Sequence, residues 1–285
     1  MEQNSIIVKN VSKKLNDFLL DNISFQIPQG RIVGFIGENG AGKSTTINLI
    51  LDQLKQDDGE ITIFGKKNNE YVHKENIGVV FDECKFHGVL SVKDIAKILS
   101  DCYKTWDMNL FQEYVRRFDI PLNKSIEQLS KGMKMKLSII CALSHKPKIL
   151  ILDEGTTGLD PVVRDEILDL LLEHIQHEEH SILFSTHIIS DIEKVADYVI
   201  LIHKGKIIFE EKKDDLVYNY GIIRCRKSEF STIAQEDYIC FREKNLSVEC
   251  LIKNKDIAKR KYPNYVIDNA TIEEIMLFYI KGGTE

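Results

Sequence analysis

The chain has 285 residues, 43% of them hydrophobic, which suffices for one large domain, or a large and a small one, around a sizeable core. Its 38 basic and 44 acidic residues leave a formal charge of −6, and no face-sized block of Lys and Arg marks a general nucleic-acid binder. The six cysteines (Cys84, Cys102, Cys141, Cys225, Cys240 and Cys250) are scattered without CxxC or Cys/His ligand spacing, which favours reduced thiols in a cytosolic protein over zinc or disulfides.

The opening residues MEQNSIIVKN lack a basic segment followed by an apolar stretch, so no signal peptide is expected. Residues 31–37, RIVGFIG, predict a strand running directly into a glycine-rich turn. Residues 44–54 predict a helix, with Ile47, Ile50, Leu51 and Leu54 at helical spacing. Residues 91–117, which hold Trp106, predict a mostly helical insertion, part of a helical subdomain over about residues 88–145. Residues 149–152 (ILIL) and 182–185 (ILFS) are continuous apolar runs of strand length, as expected of strands covered on both faces. Between them, residues 163–174 predict an amphipathic helix that begins just after Pro161. Apolar runs alternating with helical patterns through residue 210 predict α/β layering with buried parallel strands. The longest of these runs is far too short to span a bilayer, so this polypeptide by itself is not expected to be a channel or carrier.

Near residue 219 the texture changes. Residues 221–226, 238–243, 246–252 and 265–268 predict strands, and residues 228–235 and 255–261 predict short helices between them. That order, β-α-β-β-α-β, is the ferredoxin-like split unit. A last helix over 272–280 is opened by Thr271 with Glu274 three residues on, a capping box, and closed by Gly282 and Gly283. The expected division is therefore a large α/β domain over residues 1–218 and a small α+β domain over 219–285.

Chemistry enters at residues 37–45. Gly37, Glu38, Asn39, Gly40, Ala41, Gly42, Lys43, Ser44 and Thr45 fit G-x-x-x-x-G-K-[ST], with a predicted strand before and a predicted helix after. Glycines let backbone N–H groups converge on phosphate oxygens, and a helix N-terminus adds partial positive charge. Lys43 is expected to reach the β- and γ-phosphates and the Ser44 hydroxyl to ligate Mg²⁺; the plainer alternative is a glycine-rich turn with an exposed lysine. Asp153 and Glu154 end a buried apolar strand, at the carboxyl edge where open α/β sheets bind ligands. One carboxylate there can hold Mg²⁺ through water while its neighbour orients or deprotonates an attacking water; a helix N-cap is the plainer role for either alone. His187 also follows an apolar strand, on the same edge, where a γ-phosphate needs a hydrogen-bond donor; a structural histidine is its plainer role.

Over roughly residues 5–215 the sequence resembles the nucleotide-binding subunits of ABC transporters. Leu129-Ser-Lys-Gly-Met133 is similar to their signature motif, usually LSGGQ, and follows the phosphate loop in the right order. Residues 153–160, DEGTTGLD, resemble the Walker B end and D-loop, and Thr186-His187 resembles the switch histidine. The resemblance implies an ABC-type ATPase domain with an inserted helical subdomain, working as a dimer that closes around two ATP molecules. Ser130 and Gly132 would contact the γ-phosphate of ATP held by the other subunit's Lys43, so each site would be composite. Glu154 would be the general base, Asp153 a magnesium partner, His187 the holder of the γ-phosphate and attacking water, and Asp160 a bridge across the dimer interface. The implied cofactors are ATP and Mg²⁺. The implied partners are a second ATPase subunit and a multi-span membrane permease, with no nucleic acid, and the implied place is the cytoplasmic face of the membrane. A soluble ABC ATPase acting on nucleic acid, ribosomes or cofactor assembly is the competing reading; a non-catalytic, ATP-gated scaffold is a third, against which Glu154 stands.

The chain departs from the family pattern at several positions. Asp82 and Glu83 stand where a glutamine is usual, and the shorter Asp82 side chain would reach Mg²⁺ through water. Lys131 and Met133 replace the glycine and glutamine of the signature, and Gly155 stands where proline is common. The aromatic residue that usually stacks on adenine aligns near Leu15, with Phe18 the nearest ring. The Asp82 loop, the LSKGM signature and the short C-terminal domain are most similar to a bacterial exporter subgroup. It includes ATPases for peptide-antibiotic resistance and for export of amphipathic peptides such as phenol-soluble modulins. The implied cargo is a peptide or antimicrobial compound bound by the membrane subunit. Residues 86–106 are then a docking surface for that subunit, or an ordinary packed lobe. The lysine-rich stretch 253–261 is a solvated helix face, or a contact for anionic lipid.

Overall fold

The protein is described here by a computed structural model, which describes residues 3–70 and 73–283. An antiparallel sheet opens it. β1 (Asn4–Leu15) and β2 (Phe18–Pro28) form a hairpin in which Leu15 pairs with Phe18, and Asn16 takes the left-handed φ of 48° that so tight a turn requires. β4 (Asp58–Ile63) and β5 (Lys66–Lys67) complete the order β2-β1-β4-β5. Parallel strands were expected throughout this half; the difference arises because Ile6, Val8 and Val11 face inward while Ile7 and Lys9 face out, the half-solvated pattern of an antiparallel sheet.

The second sheet is the one the site stands on. β3 (Ile32–Ile36), β6 (Ile77–Val80), β7 (Ile149–Asp153), β8 (Ser181–Thr186) and β9 (Tyr198–His203) run parallel, and β10 (Lys206–Lys212) is added antiparallel, in the order β10-β9-β3-β8-β7-β6. Every residue of β3, β7 and β8 is buried, as their unbroken apolar runs predict. The helix after β3, α1 (Lys43–Ile50), stops short of the expected residue 54. Asn68 donates its side-chain amide to the Leu49 carbonyl (2.7 Å) and the Ile50 carbonyl (3.3 Å), and Asp52 turns left-handed at φ 55°, so the last carbonyls are satisfied without another turn.

The helical insertion comprises α2 (Val92–Cys102), α3 (Met108–Arg117) and α4 (Lys131–Ser144). Ser91 and Asp94 cap α2 reciprocally, and Asp107 caps α3 through the Asn109 and Leu110 amides. Phe111 of α3 is 1% exposed and packs against the tilted Trp106 ring, with centroids 5.4 Å apart. Phe111→Ala should cost about 3–5 kcal/mol, read as a lower urea midpoint at an unchanged slope; a loss under about 1 kcal/mol would contradict this packing. Beyond the insertion, α5 (Pro161–His174) starts two residues before the expected 163, with Pro161 as its first residue and Asp160 as its cap, and α6 (Ile189–Val195) follows β8.

Residues after α7 (Lys213–Asn219) build a third sheet from β11 (Gly221–Arg226), β12 (Cys240–Glu243), β13 (Ser247–Ile252) and β14 (Val266–Asn269), antiparallel in the order β12-β13-β11-β14. The helix expected at 228–235 is instead two short 3₁₀ turns, Lys227–Thr232 and Gln235–Asp237. There the Thr232 hydroxyl donates to the Glu229 carbonyl at 2.6 Å, a local side-chain bond that competes with helix continuation. α8 (Lys255–Lys261) and α9 (Ile272–Lys281) form as expected, α9 with the Thr271–Glu274 capping box. Gly282 does not close α9 in the left-handed form. Its φ is −80°, and the glycine is needed because a Cβ would meet the Phe278 carbonyl oxygen at 2.3 Å. The boundary expected at 218/219 separates two sheets that share a core: Ile222, Leu251, Ile275 and Phe278 belong to the same apolar cluster as Leu152 and Phe184. Glu211 of β10 ties the two together, accepting from the buried Tyr220 hydroxyl at 3.0 Å and pairing with Lys253. Of the lysine-rich stretch, Lys253 pairs with Glu211 and Lys261 with Asp237. No helix among the described residues is long and apolar enough to cross a membrane.

Burial also sets an acid limit on stability. His145 is 2% exposed and stacks on Tyr103 at 4.2 Å; desolvation takes its pKa from the usual 6.5 down to about 4. Burial, helped by the neighbouring His180, His177 and His145, takes His174 down to about 3. Both stay neutral in the fold while the unfolded chain takes up protons near pH 6.5, so acid favours unfolding. Below that pH the fold should lose about 1.4 kcal/mol per pH unit per imidazole, the loss from His145 ending near pH 4. Melting followed by circular dichroism should show a falling midpoint from pH 7 to pH 5, and a shallower fall in His145→Phe; an identical slope in that variant would contradict the assignment.

Candidate active site

β3, β7 and β8 deliver their C-terminal ends to one edge of the parallel sheet, where β3 gives way to the Gly37–Thr45 loop. Two of that loop's glycines are dictated by geometry. A Cβ on Gly37 would lie 2.4 Å from the Ile202 carbonyl oxygen, and Gly42, at φ 118°, would press one against the Phe18 ring at 3.0 Å. The loop folds over Lys43, which is only 5% exposed. Its ammonium donates to the Gly37 carbonyl (2.8 Å) and the Glu38 carbonyl (3.3 Å) and lies 3.2 Å from Glu154 Oε1. A lysine so buried, with one carboxylate as its charge partner, is not the exposed lysine of an ordinary turn.

The acidic pair divides by environment. Asp153, the last residue of β7, is 8% exposed and accepts from the Ser185 hydroxyl at 3.0 Å. Burial raises its pKa, against hydrogen bonds from Ser44 and Ser185 that draw it down. Glu154 is the first residue off the strand and sits left-handed at φ 57°. Its amide donates to the Ser185 carbonyl at 2.9 Å, and its Oε2 takes hydrogen bonds of 2.7 Å from the Thr157 hydroxyl and from His187 Nδ1. Burial pushes this carboxyl up, but the Thr157 bond, the Lys43 charge and His187 outweigh it, and the net shift is downward. Glu154 is therefore ionised at neutral pH. His187 keeps 43% of its side chain exposed, pinned at one ring nitrogen only.

Lys43, Ser44, Asp153, Glu154 and His187 are thus one connected cluster. Ser130, Gly132 and Asp160 form a second group. The Ser130 hydroxyl caps α4 by accepting from the Met133 amide at 3.2 Å, and Asp160 caps α5 through the Val162 and Val163 amides, both at 3.1 Å. Val163 lies 3.3 Å from where a Gly132 Cβ would be, so the two helix starts are neighbours. Among the described residues, no hydrogen bond or ion pair joins this group to the Lys43 cluster within the chain. Asp82 is exposed, 3.7 Å from the Lys85 ammonium, and lines a cleft of about 430 Å³ with Cys84, Lys131 and Met135. The cleft over the phosphate loop holds about 380 Å³ and is lined by Leu15, Phe18, Lys43, Thr45 and Glu154. Thr157 and Ser185, which hold the two carboxylates, belong to no motif that marks them in the sequence.

A buried lysine under a glycine-rich loop, beside an ionised carboxylate at the end of the adjoining strand, defines a P-loop nucleoside-triphosphatase. Residues 20–157 match the family model described as ABC transporter. The bacitracin transport ATP-binding protein of Bacillus licheniformis is 35% identical over 202 residues, 69% of this chain and 66% of that protein. A lantibiotic transport ATP-binding protein of Streptococcus pyogenes is 32% identical over 200 residues, 69% of this chain and 85% of that protein. A solved dimeric ATP-binding cassette, in a post-hydrolysis state bound to ADP and Pi, is 25% identical with a TM-score of 0.65, over 73% of this chain and 98% of that one. The chain belongs to the ATP-binding proteins of ABC transporters, the ATPases that couple hydrolysis to transport.

Proposed function

We propose that this chain is the ATPase subunit of an exporter on the cytoplasmic face of the membrane, closing as a dimer over two Mg–ATP and driving a separate multi-span permease. The observation that carries it is the Glu154 carboxylate, ionised, half-buried and held by Thr157 and His187 beside Lys43. Ser44 and Asp153 supply hard oxygen donors at one point, the ligand type Mg²⁺ takes, and Asp82 is near enough to act on the Asp153 charge. When bound, Mg²⁺ would neutralise charge on the phosphate oxygens. Lys43 exchanges its two loop carbonyls for phosphate oxygens, and Glu154 Oε1 is left as the base that takes a proton from the attacking water. His187, donating through Nδ1–H to Glu154, offers Nε2–H to the γ-phosphate when the ring carries its second proton.

The second group supports the dimer. Ser130, Gly132 and Asp160 stand exposed or half-exposed at the starts of α4 and α5, and among the described residues no hydrogen bond or ion pair ties them to the phosphate loop of their own chain. They are free to cap a nucleotide on a second copy or on a related subunit. Ser130→Glu should therefore leave nucleotide binding to the single chain within about twofold and lower hydrolysis more than tenfold, by like-charge repulsion at the partner's phosphate. Unchanged hydrolysis in that variant would remove the composite site.

Peptides or antimicrobial compounds are the cargo favoured by the bacitracin and lantibiotic transport relatives. Phe86, Leu90 and Trp106 pack inward against the core, which leaves Val89, 68% exposed, as the apolar projection of residues 86–90. The adjoining groove of about 500 Å³, lined by Leu51, Ile77, Val79, Phe81 and Tyr103, is the better seat for a helix of the permease. Affinity capture from solubilised membranes tests the pairing: a multi-span protein should co-purify, and recovery of ribosomes or nucleic acid in its place would favour the soluble ABC ATPase.

A further inference from the structure

Behind the cluster lies a carboxylate that the chemistry above does not use. Asp191, in the first turn of α6, is 2% exposed, and its Oδ2 accepts a 2.7 Å hydrogen bond from the Thr156 hydroxyl, itself fully buried. Thr156 stands inside the turn that carries Glu154, closed by the Thr157 amide donating to the Glu154 carbonyl at 3.1 Å. A left-handed glutamate is disfavoured by its own Cβ, and such a residue persists where its surroundings over-determine it. Asp191 also stands on the helix that leads out of the switch segment. Its amide donates to the Ile188 carbonyl at 3.2 Å, and the Ile188 amide donates to the Thr186 hydroxyl at 3.0 Å, on either side of His187. From α5, the Arg164 charge acts on the same carboxylate, and Arg164 donates to the Leu159 carbonyl at 3.3 Å, next to Asp160. One buried group thus bonds the turn that carries Glu154, belongs to the helix that follows His187, and feels the charge of Arg164 from the helix that Asp160 caps.

We propose that Asp191 is a positioning residue for ATP hydrolysis: through Thr156 it fixes the Glu154 turn against the helix that follows His187. The proposal rests on Glu154 being the base. Asp191 is buried and does not line the cleft over the phosphate loop, so its loss should appear in kcat and not in binding.

The test compares Asp191→Ala, Asp191→Asn, Thr156→Val and Thr156→Ser with the parent and with Glu154→Gln. Asp191→Ala and Thr156→Val should each lower kcat about tenfold or more, because a small misplacement of a reacting group is costly, with KM and nucleotide Kd within about twofold. Asp191→Asn and Thr156→Ser, which keep an acceptor and a donor, should stay within about threefold of the parent. The double variant Asp191→Ala/Thr156→Val should be no slower than the slower single one, as both break the same bond. In nucleotide-free protein, hydrogen exchange at the Thr157 amide should quicken in Asp191→Ala and Thr156→Val. Parent-like kcat in Asp191→Ala while Glu154→Gln is inactive would overturn the inference alone, as would multiplicative losses in the double variant. If Glu154→Gln hydrolysed like the parent, the underlying reading would fail instead. Exchange at the Thr157 amide would then still decide whether Asp191 pins the turn, and unchanged exchange would overturn that too.

Discussion

Glu154→Gln should lower ATP hydrolysis roughly 100-fold or more while leaving nucleotide bound at least as tightly as in the parent. The substitution is unusually clean here. The amide oxygen can still accept from the Thr157 hydroxyl, so the left-handed turn has the same anchor. What disappears is the negative charge that faces Lys43 at 3.2 Å and the site that would accept a proton from water. Because Lys43 no longer has a competing carboxylate, its charge is the more available to phosphate, and affinity should hold or rise. Phosphate release under saturating Mg–ATP, alongside equilibrium nucleotide binding, separates the two effects. Hydrolysis within a few-fold of the parent would withdraw the general-base role. The pH profile adds a check on sign: with its pKa held below the ordinary carboxylate range, Glu154 should stay competent through mildly acid pH.

Lys43→Ala should show the opposite division, with nucleotide affinity reduced about 100-fold and hydrolysis lost with it. A charge-assisted bond to phosphate contributes about 1.5–3 kcal/mol, and the buried ammonium has more than one such bond to offer. Its removal also leaves Glu154 half-buried without its cation, so the carboxyl should titrate higher than in the parent. Lys43→Arg should not rescue binding, because a planar guanidinium has no room under a loop whose lysine is 5% exposed. A fluorescent nucleotide titration reads both variants; affinity within about threefold of the parent for Lys43→Ala would mean that the loop binds without its cation.

The parts of this molecule legible in its sequence are those where one local pattern has one physical outcome. The glycine and lysine spacing at 37–45, the unbroken apolar runs of β3, β7 and β8, Pro161 after Asp160, and Thr271 three residues before Glu274 each point to a single local structure. The first sheet was not legible, because the alternation in β1 was subsumed under the α/β rhythm that follows it. The end of α1 depends on Asn68, eighteen residues beyond Ile50 and visible only once β5 has folded back. The shared core at the 218/219 boundary likewise depends on how the third sheet docks, which a change of texture cannot reveal.

Within the site, the residues that touch nucleotide in the proposed scheme are recognisable by type and spacing, whereas those that hold them are not. Thr157, Ser185 and Asp191 act through single hydrogen bonds made by the fold, and at each position the residue type is common enough to carry no signal. Asp160 and Ser130 stand apart, recognisable through the motifs they sit in and not through the helix caps they form. Within one chain each is a helix cap, and in the proposed scheme a second copy gives each its further role.

That second copy is where the decisive measurement lies. Glu154→Gln protein, saturated with Mg–ATP and weighed by light scattering after size exclusion, should double from the 32.8 kDa of one chain and return to it when Ser130→Glu is added. Protein that stays at 32.8 kDa with ATP bound would mean that the Lys43 loop and the Ser130 helix never close on the same nucleotide.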